Sequence, residues 1–453
     1  MAPLGSEWAP VEALIRELMT KGGVPGAQMA IVRDGRIAWN RGFGMATVEA
    51  GKPVTVDTVF EAASLGKAVF AYTVMRLVER GEFDLDRPLS GYLPNPEVRD
   101  QERLRQVTAR RVLCHTAGFP NWRRGKELTI DFDPGERFSY SGEGYVYLQK
   151  VIEAVTGLPL DTLVRREVFA ALGMNASSFV WREAYEQTAA TGYDYLGGVT
   201  KKVRPDAANA ASSLHTTSGD FARFLAEILH PTLVKPATVA AMLKTQVSVA
   251  KGLDWGLGWG LELSAGRRLF WQWGDNETFR GIAVGDVAAG EALVLLTNSE
   301  NGLSIAPPIV SAVIPAPHPA FAWLDVDAYD SPARTIRERL VRAGIANGER
   351  GVSRALSELE ATFPKEAFSE SLLNRIGYEL LGKKHPEAAS MVFEHNVRLF
   401  PKSWNVYDSL AEAYAAEGDL RLAITYYEKS LKLNPDNENA KSAIAQLKEA
   451  RRR

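Results

Sequence analysis

The spacing of hydrophobic residues predicts strands near both ends of the first 315 residues of this chain. Two short apolar runs, 28–32 and 37–40, flank an Asp-Gly pair. This pattern predicts a β-hairpin, because Asp-Gly suits the tight turn between antiparallel strands. Further runs of β-branched, aromatic and aliphatic residues indicate strands at 255–261, 269–271, 281–284 and 292–296. We therefore expect one sheet that is built from both ends of this region.

Helical spacing dominates the rest of the same region. Apolar positions repeat at helical intervals over 9–20. A second, apolar helix is predicted from residue 64 to residue 80, with Gly81 at its carboxyl end. Between residues 86 and 240 the chain is mainly helical, with long proline-containing loops. The expected fold class is α/β (α+β): an antiparallel sheet flanked by helices, with a helical insertion at about 86–240.

A proline-rich run at 315–319 marks a boundary, after which strand signals cease and helix-forming residues dominate. The predicted organisation is therefore a first domain at 1–315, a linker at 316–333 and an all-α domain at 334–453.

The all-α domain contains an internal repeat with a period of about 34 residues. Residues 370–403 and 404–437 form two copies, in which small and large apolar positions recur. This pattern resembles the tetratricopeptide repeat. We expect a capping helix at 438–453 and a degenerate earlier helix pair at 334–362, because such repeats need stacked neighbours to bury their apolar faces.

Composition and charge narrow the possible partners. The 453 residues are too many for one ordinary core, so two or three domains are expected. A net charge of −2 gives no reason to expect a nucleic acid or an anionic membrane as a partner.

No stretch is apolar and long enough for a membrane span. The amino terminus lacks the features of a signal peptide, which predicts a cytoplasmic protein, or a periplasmic or secreted one if a signal peptide has been removed.

Neither a disulfide nor a metal centre is expected. Cys114 is the only cysteine, and its apolar neighbours Val112 and Leu113 favour a small buried residue over a nucleophile. The six histidines show no metal-ligand spacing. We therefore predict no metal and no cofactor.

The strongest chemical signal is the run Ser64-Leu65-Gly66-Lys67 at the start of the second predicted helix. Residues three apart share one face of a helix, so the Lys67 amine can lie beside the Ser64 hydroxyl and accept its proton. Burial of Lys67 would lower its pKa towards neutrality and make it a base. This S-x-x-K spacing is the nucleophile motif of β-lactamases and penicillin-binding proteins. Taken alone, it also fits a surface helix with a capping serine and a solvated lysine.

Three further segments accompany S-x-x-K in order along the chain, at 114–120, 134–145 and 271–281. They contain the runs His-Thr-Ala-Gly, Tyr-Ser-Gly and Gln-Trp-Gly. Together the four segments resemble the serine β-lactamase superfamily in its class C-like branch. That branch also holds family VIII carboxylesterases, D-amino-acid peptidases and penicillin-binding-protein-like hydrolases. The resemblance covers roughly residues 10–315 and implies a β-lactamase-like fold for the first domain.

The resemblance also implies roles for the matching residues. Ser64 is the acylated nucleophile, Lys67 shares its proton, and Tyr140, the tyrosine of a Y-x-N motif, is a general base and acid. We expect neighbouring amines to lower the pKa of Tyr140. The main-chain N–H groups of Ser64 and Asp275 form an oxyanion hole. His115 is expected to support the site structurally, bonded to the backbone.

Two positions depart from the family pattern. Gly142 stands where Y-x-N has asparagine, and Gln272 stands where K-T-G has lysine. With Trp273 and Gly274, these residues are expected to contact the substrate. The missing amide and the missing cation argue against efficient β-lactamase or D,D-carboxypeptidase activity and fit a neutral ester.

Aromatic residues near these motifs are candidates for an apolar or aromatic acyl pocket. They are Trp122, Trp271 and Trp273. Plain core packing is an equally good interpretation of Trp122 and Trp271.

The leading hypothesis is a serine hydrolase that works through a Ser64 acyl-enzyme, with a carboxylesterase acting on small or medium acyl esters favoured. An amidase or D-stereospecific peptidase, or an acyl transferase of the same fold, is the alternative within this class. A non-catalytic ligand-binding or sensor protein with a peptide-binding repeat module is the alternative from another class. The expected partners are a small-molecule ester or amide and, at the repeats, a protein, a peptide or a second copy.

Overall fold

The structure is a computed structural model that describes residues 6–123, 125 and 127–451. It divides into two compact units, one ending at Tyr329 and the other beginning at Asp330. Most of the segment predicted as a linker therefore belongs to the first unit. In that segment His318 is buried, and its Nδ1 lies 2.7 Å from Oε1 of Glu262. The proline-rich run marks a turn into a short terminal helix rather than the end of the domain.

The strands of the first unit lie mainly near its two ends, and most of its helices lie between them. The described strands are β1 (Gly26–Arg33), β2 (Arg36–Thr47), β3 (Lys52–Pro53), β4 (Phe60–Ala63), β5 (Leu214–Thr216), β6 (Val247–Ala250), β7 (Leu253–Trp255), β8 (Gly260–Ser264), β9 (Arg267–Asp275), β10 (Arg280–Asp286) and β11 (Glu291–Thr297). The described α-helices are α1 (Ala9–Gly22), α2 (Gly66–Glu79), α3 (Gln101–Leu104), α4 (Ala109–Leu113), α5 (Gly142–Thr156), α6 (Leu160–Val164), α7 (Ala170–Leu172), α8 (Tyr185–Thr188), α9 (Ser218–Leu229), α10 (Pro236–Met242), α11 (Ala306–Val313) and α12 (Pro319–Trp323).

Nine of these strands form one antiparallel sheet in the order β3-β2-β1-β11-β10-β9-β8-β7-β6, and β4 pairs separately with β5. Strand β1 lies beside β11, with Met29 opposite Leu295. The prediction of one sheet built from both ends of the region, with a helical insertion, is therefore confirmed.

The two faces of the sheet bury different hydrophobic cores. On β1, Ala30 and Val32 pack into the core that contains α2, α5 and α9, whereas Met29 and Ile31 pack into the core that contains α1 and α11. Successive side chains of a strand point to opposite faces, so a strand covered on both sides is apolar at nearly every position. This layering places α9 directly on β1 and β11 and buries α2 in the core on the same face of the sheet.

The prediction of a single strand over 255–261 is wrong, because a turn separates β7 from β8 there. Gly258 in this turn has φ of +84°, and a Cβ on it would lie 2.3 Å from the Cβ of Ala71 in α2. Trp255, Leu257 and Trp259 are fully buried. Trp255 and Gly260 still pair in the sheet, whereas the apolar residues of the turn between them are buried in the core that contains α2.

The second unit is helical throughout its described residues. Its helices are α13 (Pro332–Thr362), α14 (Glu370–Gly382), α15 (Pro386–Leu399), α16 (Trp404–Glu417), α17 (Leu420–Leu433) and α18 (Glu438–Ala450). Helix α13 is interrupted at Gly348, where φ is +57° and ψ is −144°, so it consists of two segments. These helices coincide with the early pair, the two repeat copies and the capping helix expected from the sequence.

The same small-to-large contact stabilises both repeat copies. In the first, Gly377 lies so close to Phe393 that an added Cβ would come within 2.3 Å of the ring. In the second, Ala411 packs against Tyr427 in one buried cluster. Small residues at these positions let paired helices approach closely. No helix among the described residues of either unit is both long and apolar enough to cross a membrane.

Candidate active site

Ser64 lies in the turn between β4 and α2. The preceding residue, Ala63, has φ of +49°, a left-handed conformation that costs energy for a residue with a Cβ. Helix α2 begins at Gly66, after Leu65, and no described side chain caps it. The Ser64 hydroxyl therefore does not serve as a helix cap, and the alternative of a capped surface helix is wrong.

The Ser64 hydroxyl, the Lys67 amine and one main-chain carbonyl form a compact triangle. Lys67 Nζ lies 2.9 Å from Ser64 Oγ and 2.7 Å from the carbonyl oxygen of Ala211. Ser64 Oγ lies 3.1 Å from the same carbonyl oxygen. These distances allow the serine proton to pass to the amine.

Lys67 is completely buried, and burial lowers the pKa of its amine to about 7. The rings of Tyr140 and Tyr145 face Nζ, with centroids 4.8 and 5.6 Å away. Such rings attract the charged form of the amine, so it can hold a proton transiently. A lysine with a pKa near neutrality can act as a base at ordinary pH.

Tyr140 presents a buried hydroxyl beside these groups. Burial raises the pKa of Tyr140, and the nearby Ser64 hydroxyl acts in the opposite direction. Its hydroxyl has no hydrogen-bond partner within the part of the chain that the structure describes. The expectation of a lowered pKa is therefore wrong, because desolvation of the hydroxyl outweighs the effect of its neighbours on the pKa. Tyr140 is a neutral phenol that can donate a proton.

The His115 ring packs against the Tyr140 ring. Its ring stacks on the Tyr140 ring at a centroid distance of 4.2 Å, and its Nδ1 accepts a hydrogen bond from the Ser141 main-chain N–H at 3.0 Å. Burial keeps the pKa of His115 well below its usual value. The imidazole is neutral and bonded to the backbone, as expected from the sequence.

The end of β9 packs against β4, the strand that leads into Ser64. Pairing of β9 with β8 stops at Trp271 opposite Gly260, so residues 272–275 extend beyond it. A Cβ on Gly274 would lie 2.1 Å from the carbonyl oxygen of Ala62 in β4. Glycine is therefore required for this close approach, which brings the Asp275 end of β9 to the strand that precedes Ser64. The oxyanion hole formed by Ser64 and Asp275 stays a prediction.

The residues expected to contact substrate separate into two groups. Gln272 and Trp271 are buried, and the Gln272 amide is bonded to the main chain of Gly258 and Trp273. Trp273 is half-buried, with its ring 4.6 Å from that of Tyr140. Trp273 therefore lies beside the triangle, while the other two side chains support the strand from within.

Gly142 and Trp122 form the second contact region. Trp122 is 46% exposed, and a Cβ on Gly142 would lie 2.8 Å from its Cη2 atom. Both neighbours of Trp122 are bonded to the start of α5. The Gly142 N–H donates to the Asn121 carbonyl oxygen, and the Arg123 guanidinium pairs with the Glu143 carboxylate at 2.9 Å. The indole thus occupies the space of the side chain missing at position 142.

Ala211 was missed by sequence reasoning, because a main-chain carbonyl carries no residue-type signal. Cys114 is buried and contacts Thr116, which agrees with a structural role. No group of three metal-ligating side chains is present in the described ranges.

The fold and these motifs are matched by known proteins. Residues 11–308 match the Beta-lactamase family, and residues 404–437 match the Tetratricopeptide repeat family. The chain therefore belongs to the Beta-lactamase family and carries a tetratricopeptide repeat near its carboxyl end. This family and fold support a serine hydrolase.

Individual relatives differ in their named activities. Penicillin-binding protein 4 of Amycolatopsis lactamdurans is 30% identical over 286 residues, which cover 54% of this chain and 73% of that protein. Esterase EstB of Burkholderia gladioli is 32% identical over 207 residues, which cover 39% of this chain and 52% of EstB, about half its length.

Solved structures show the same fold. The octameric penicillin-binding protein homologue from Pyrococcus abyssi has a TM-score of 0.59 and 25% identity, covering 74% of this chain and 81% of its own. The D-alanine carboxypeptidase AmpC from Burkholderia cenocepacia has a TM-score of 0.57 and 22% identity, covering 67% of this chain and 97% of its own.

Proposed function

We propose that the first unit is a carboxylesterase that works through an acyl-enzyme on Ser64. The observation that carries this proposal is the completely buried Lys67 amine, 2.9 Å from Ser64 Oγ and with a pKa of about 7. Such an amine accepts the serine proton as Oγ attacks the ester carbonyl. The N–H groups of Ser64 and Asp275 then stabilise the oxyanion.

Tyr140 completes the proposed cycle as a proton donor. The tetrahedral intermediate collapses when the alkoxide leaves and takes the phenol proton. The proton held by Lys67 then restores the phenol. Water attacks the acyl-enzyme by the reverse route, giving the acid and free Ser64. The neutral state of Tyr140, which burial favours, suits this donation.

The geometry near Gly142 favours an ester over an amide. Family members of the penicillin-binding type use an asparagine at this position to hold an amide group. Here Trp122 fills that space, and the Gln272 side-chain amide is hydrogen-bonded to the main chain of Gly258 and Trp273. A substrate therefore meets indole surface at Trp122 and Trp273 and no cation from the K-T-G position, which suits an uncharged acyl group.

The direct test is hydrolysis of a panel of p-nitrophenyl esters beside nitrocefin and D-alanyl amides. We expect measurable turnover of short and medium acyl esters and rates on both amide classes that are lower by about 100-fold or more, since amides need a stronger leaving-group acid and a held amide group. Strong hydrolysis of the amides with none of the esters would reverse the assignment to an amidase or peptidase.

Trp122 is expected to limit the size of the acyl group. In the Trp122→Ala variant, kcat/KM for bulky acyl esters should rise roughly 10-fold relative to acetate, because the truncated side chain opens apolar volume beside the site. Trp404→Ala is a matched control, since Trp404 is similarly exposed at 38% but belongs to the second unit. An unchanged acyl-length profile in Trp122→Ala would place the acyl group elsewhere.

We further propose that the second unit holds a protein or peptide, or a second copy of the chain. The tetratricopeptide match at residues 404–437 supports this role. The helices α14 and α16 also leave two aromatic side chains, Tyr378 and Trp404, more than a third exposed.

A further inference from the structure

A buried carboxyl group lies beside the site and has no role in the mechanism proposed above. Glu61 belongs to β4, three residues before Ser64, and is only 7% exposed. Its Oε2 accepts a hydrogen bond from the side-chain amide of Asn276 at 3.2 Å. The same amide nitrogen donates to the carbonyl oxygen of Ser212, also at 3.2 Å.

The Asn276 amide thereby joins three segments that surround the nucleophile. The first is β4, which leads into Ser64. The second is the turn that follows Asp275, the residue proposed to supply an oxyanion N–H. The third is the segment containing Ala211, whose carbonyl oxygen lies 3.1 Å from Ser64 Oγ and 2.7 Å from Lys67 Nζ. Movement of the Asn276 amide would disturb all three.

We propose that Glu61 is a positioning residue, which acts through Asn276 to hold the end of β9 and the Ala211 carbonyl in place around the Ser64 hydroxyl. This inference rests on the proposed function of Ser64. Glu61 itself does not touch Ser64, and its effect is transmitted through two hydrogen bonds.

The charge state of Glu61 supports a role beyond packing. Burial raises its pKa to about 7, while hydrogen bonds from Asn276 and the Val203 main chain and the charge of Lys202 oppose the rise. Because the folded pKa lies above the ordinary value of 4.5, Glu61 lowers the stability of the fold progressively as pH rises from 4.5 to about 7. A buried carboxylate therefore makes the fold less stable at neutral pH than a neutral side chain of the same shape would.

Few other charges face this carboxyl group. Lys202, in the loop between α8 and β5, contributes a positive charge near Glu61. His215 lies opposite Glu61 in the β4–β5 pairing, and burial lowers its pKa to about 4, so it is neutral. Asp275 and Glu277 on the neighbouring turn are exposed. Protonation of Glu61 is thus expected to weaken the charge-assisted bond from Asn276 and loosen the site on the acidic side of pH 7.

The test is the rate at which a fluorophosphonate phosphonylates Ser64 in the full-length protein between pH 5 and 9. This readout needs no knowledge of the natural substrate. We expect Glu61→Gln and Asn276→Ala each to slow labelling roughly 10-fold at pH 8, about the effect of losing one charge-assisted hydrogen bond. The double variant should be no slower than Asn276→Ala, because Glu61→Gln only weakens a bond that Asn276→Ala removes.

The pH profile separates positioning from a merely structural role. In the wild type, Lys67 and Glu61 both titrate near pH 7, so the slope of log rate against pH should exceed one just below pH 7. Glu61→Gln should leave a slope of one. Asp220→Asn is the control, since Asp220 is also buried with a raised pKa but bonds to Ala176 and Ser177. It should change melting temperature without changing the slope.

The outcomes are distinct. Wild-type rate and slope in Glu61→Gln and Asn276→Ala would overturn the positioning role while leaving the proposed function intact. A folded wild-type protein that is never labelled would overturn both. If Glu61→Gln does not fold, the half-buried Asn276→Ala variant decides the question by itself.

Discussion

Replacing Ser64 by alanine is expected to abolish ester hydrolysis, with kcat falling by about 10⁴-fold or more, because no other group can form the acyl-enzyme. The substitution removes one half-buried hydroxyl and its contacts with Lys67 and Ala211. The protein should stay folded, since no helix depends on that hydroxyl as a cap.

The measurement is turnover of the best p-nitrophenyl ester together with mass spectrometry after fluorophosphonate treatment. The wild type should gain the mass of the phosphonyl group on a peptide that contains Ser64, and Ser64→Ala should gain none. Ser248→Ala is the matched control, because Ser248 also begins an S-x-x-K run but lies exposed on the edge strand β6. Undiminished turnover in Ser64→Ala would falsify the acyl-enzyme mechanism, whereas an unlabelled but folded wild type would favour a sensor.

Replacing Lys67 by methionine is expected to lower kcat/KM by about 10³-fold, the usual range for loss of a general base. In the wild type kcat/KM should rise with pH and level off above about 7, the pKa of the Lys67 amine, because only the neutral amine accepts the serine proton. Lys67→Arg should be inactive across this range, since a guanidinium does not deprotonate.

Lys67→Met should make the protein more stable although it makes the enzyme less active. The pKa of Lys67 in the folded protein lies below its ordinary value of 10.5. The destabilisation caused by burying its charge is therefore complete below pH 7 and decreases as pH rises towards 10.5. Lys67→Met should therefore unfold at a higher denaturant concentration than the wild type at pH 6, with the difference shrinking by pH 10. A flat wild-type pH profile, or full activity in Lys67→Met, would contradict the assignment of the base.

Local sequence patterns predicted the elements that contain the site residues. The S-x-x-K spacing predicted that the Ser64 hydroxyl and the Lys67 amine lie side by side, and they do, although Ser64 belongs to the turn just before α2. The apolar residues after Lys67 indicated that its amine is buried. The two apolar runs and the Asp-Gly turn of the hairpin, and the repeat period of the second unit, are likewise local signals, and the elements they predict were confirmed.

The errors share a physical cause, which is that burial is decided by partners distant in sequence. The run 255–261 was predicted as one strand, but Leu257 and Trp259 lie in a turn and are apolar because they pack in the core that contains α2. The pKa of Tyr140 rises because its hydroxyl is desolvated by the surrounding protein. The linker was placed too early because a proline run signals a turn but not which core the following helix joins.

The amino-acid sequence by itself indicated the family, the helical repeat and the proposed nucleophile and base, since each depends on residue types at short, regular spacing. Only the tertiary structure decided what surrounds them: the Ala211 carbonyl against the reacting pair, the indole of Trp122 over Gly142, and the Glu61–Asn276 bond behind the site. These contacts join segments up to 215 residues apart, and such distances are set by how the sheet and helices pack, which no local pattern encodes.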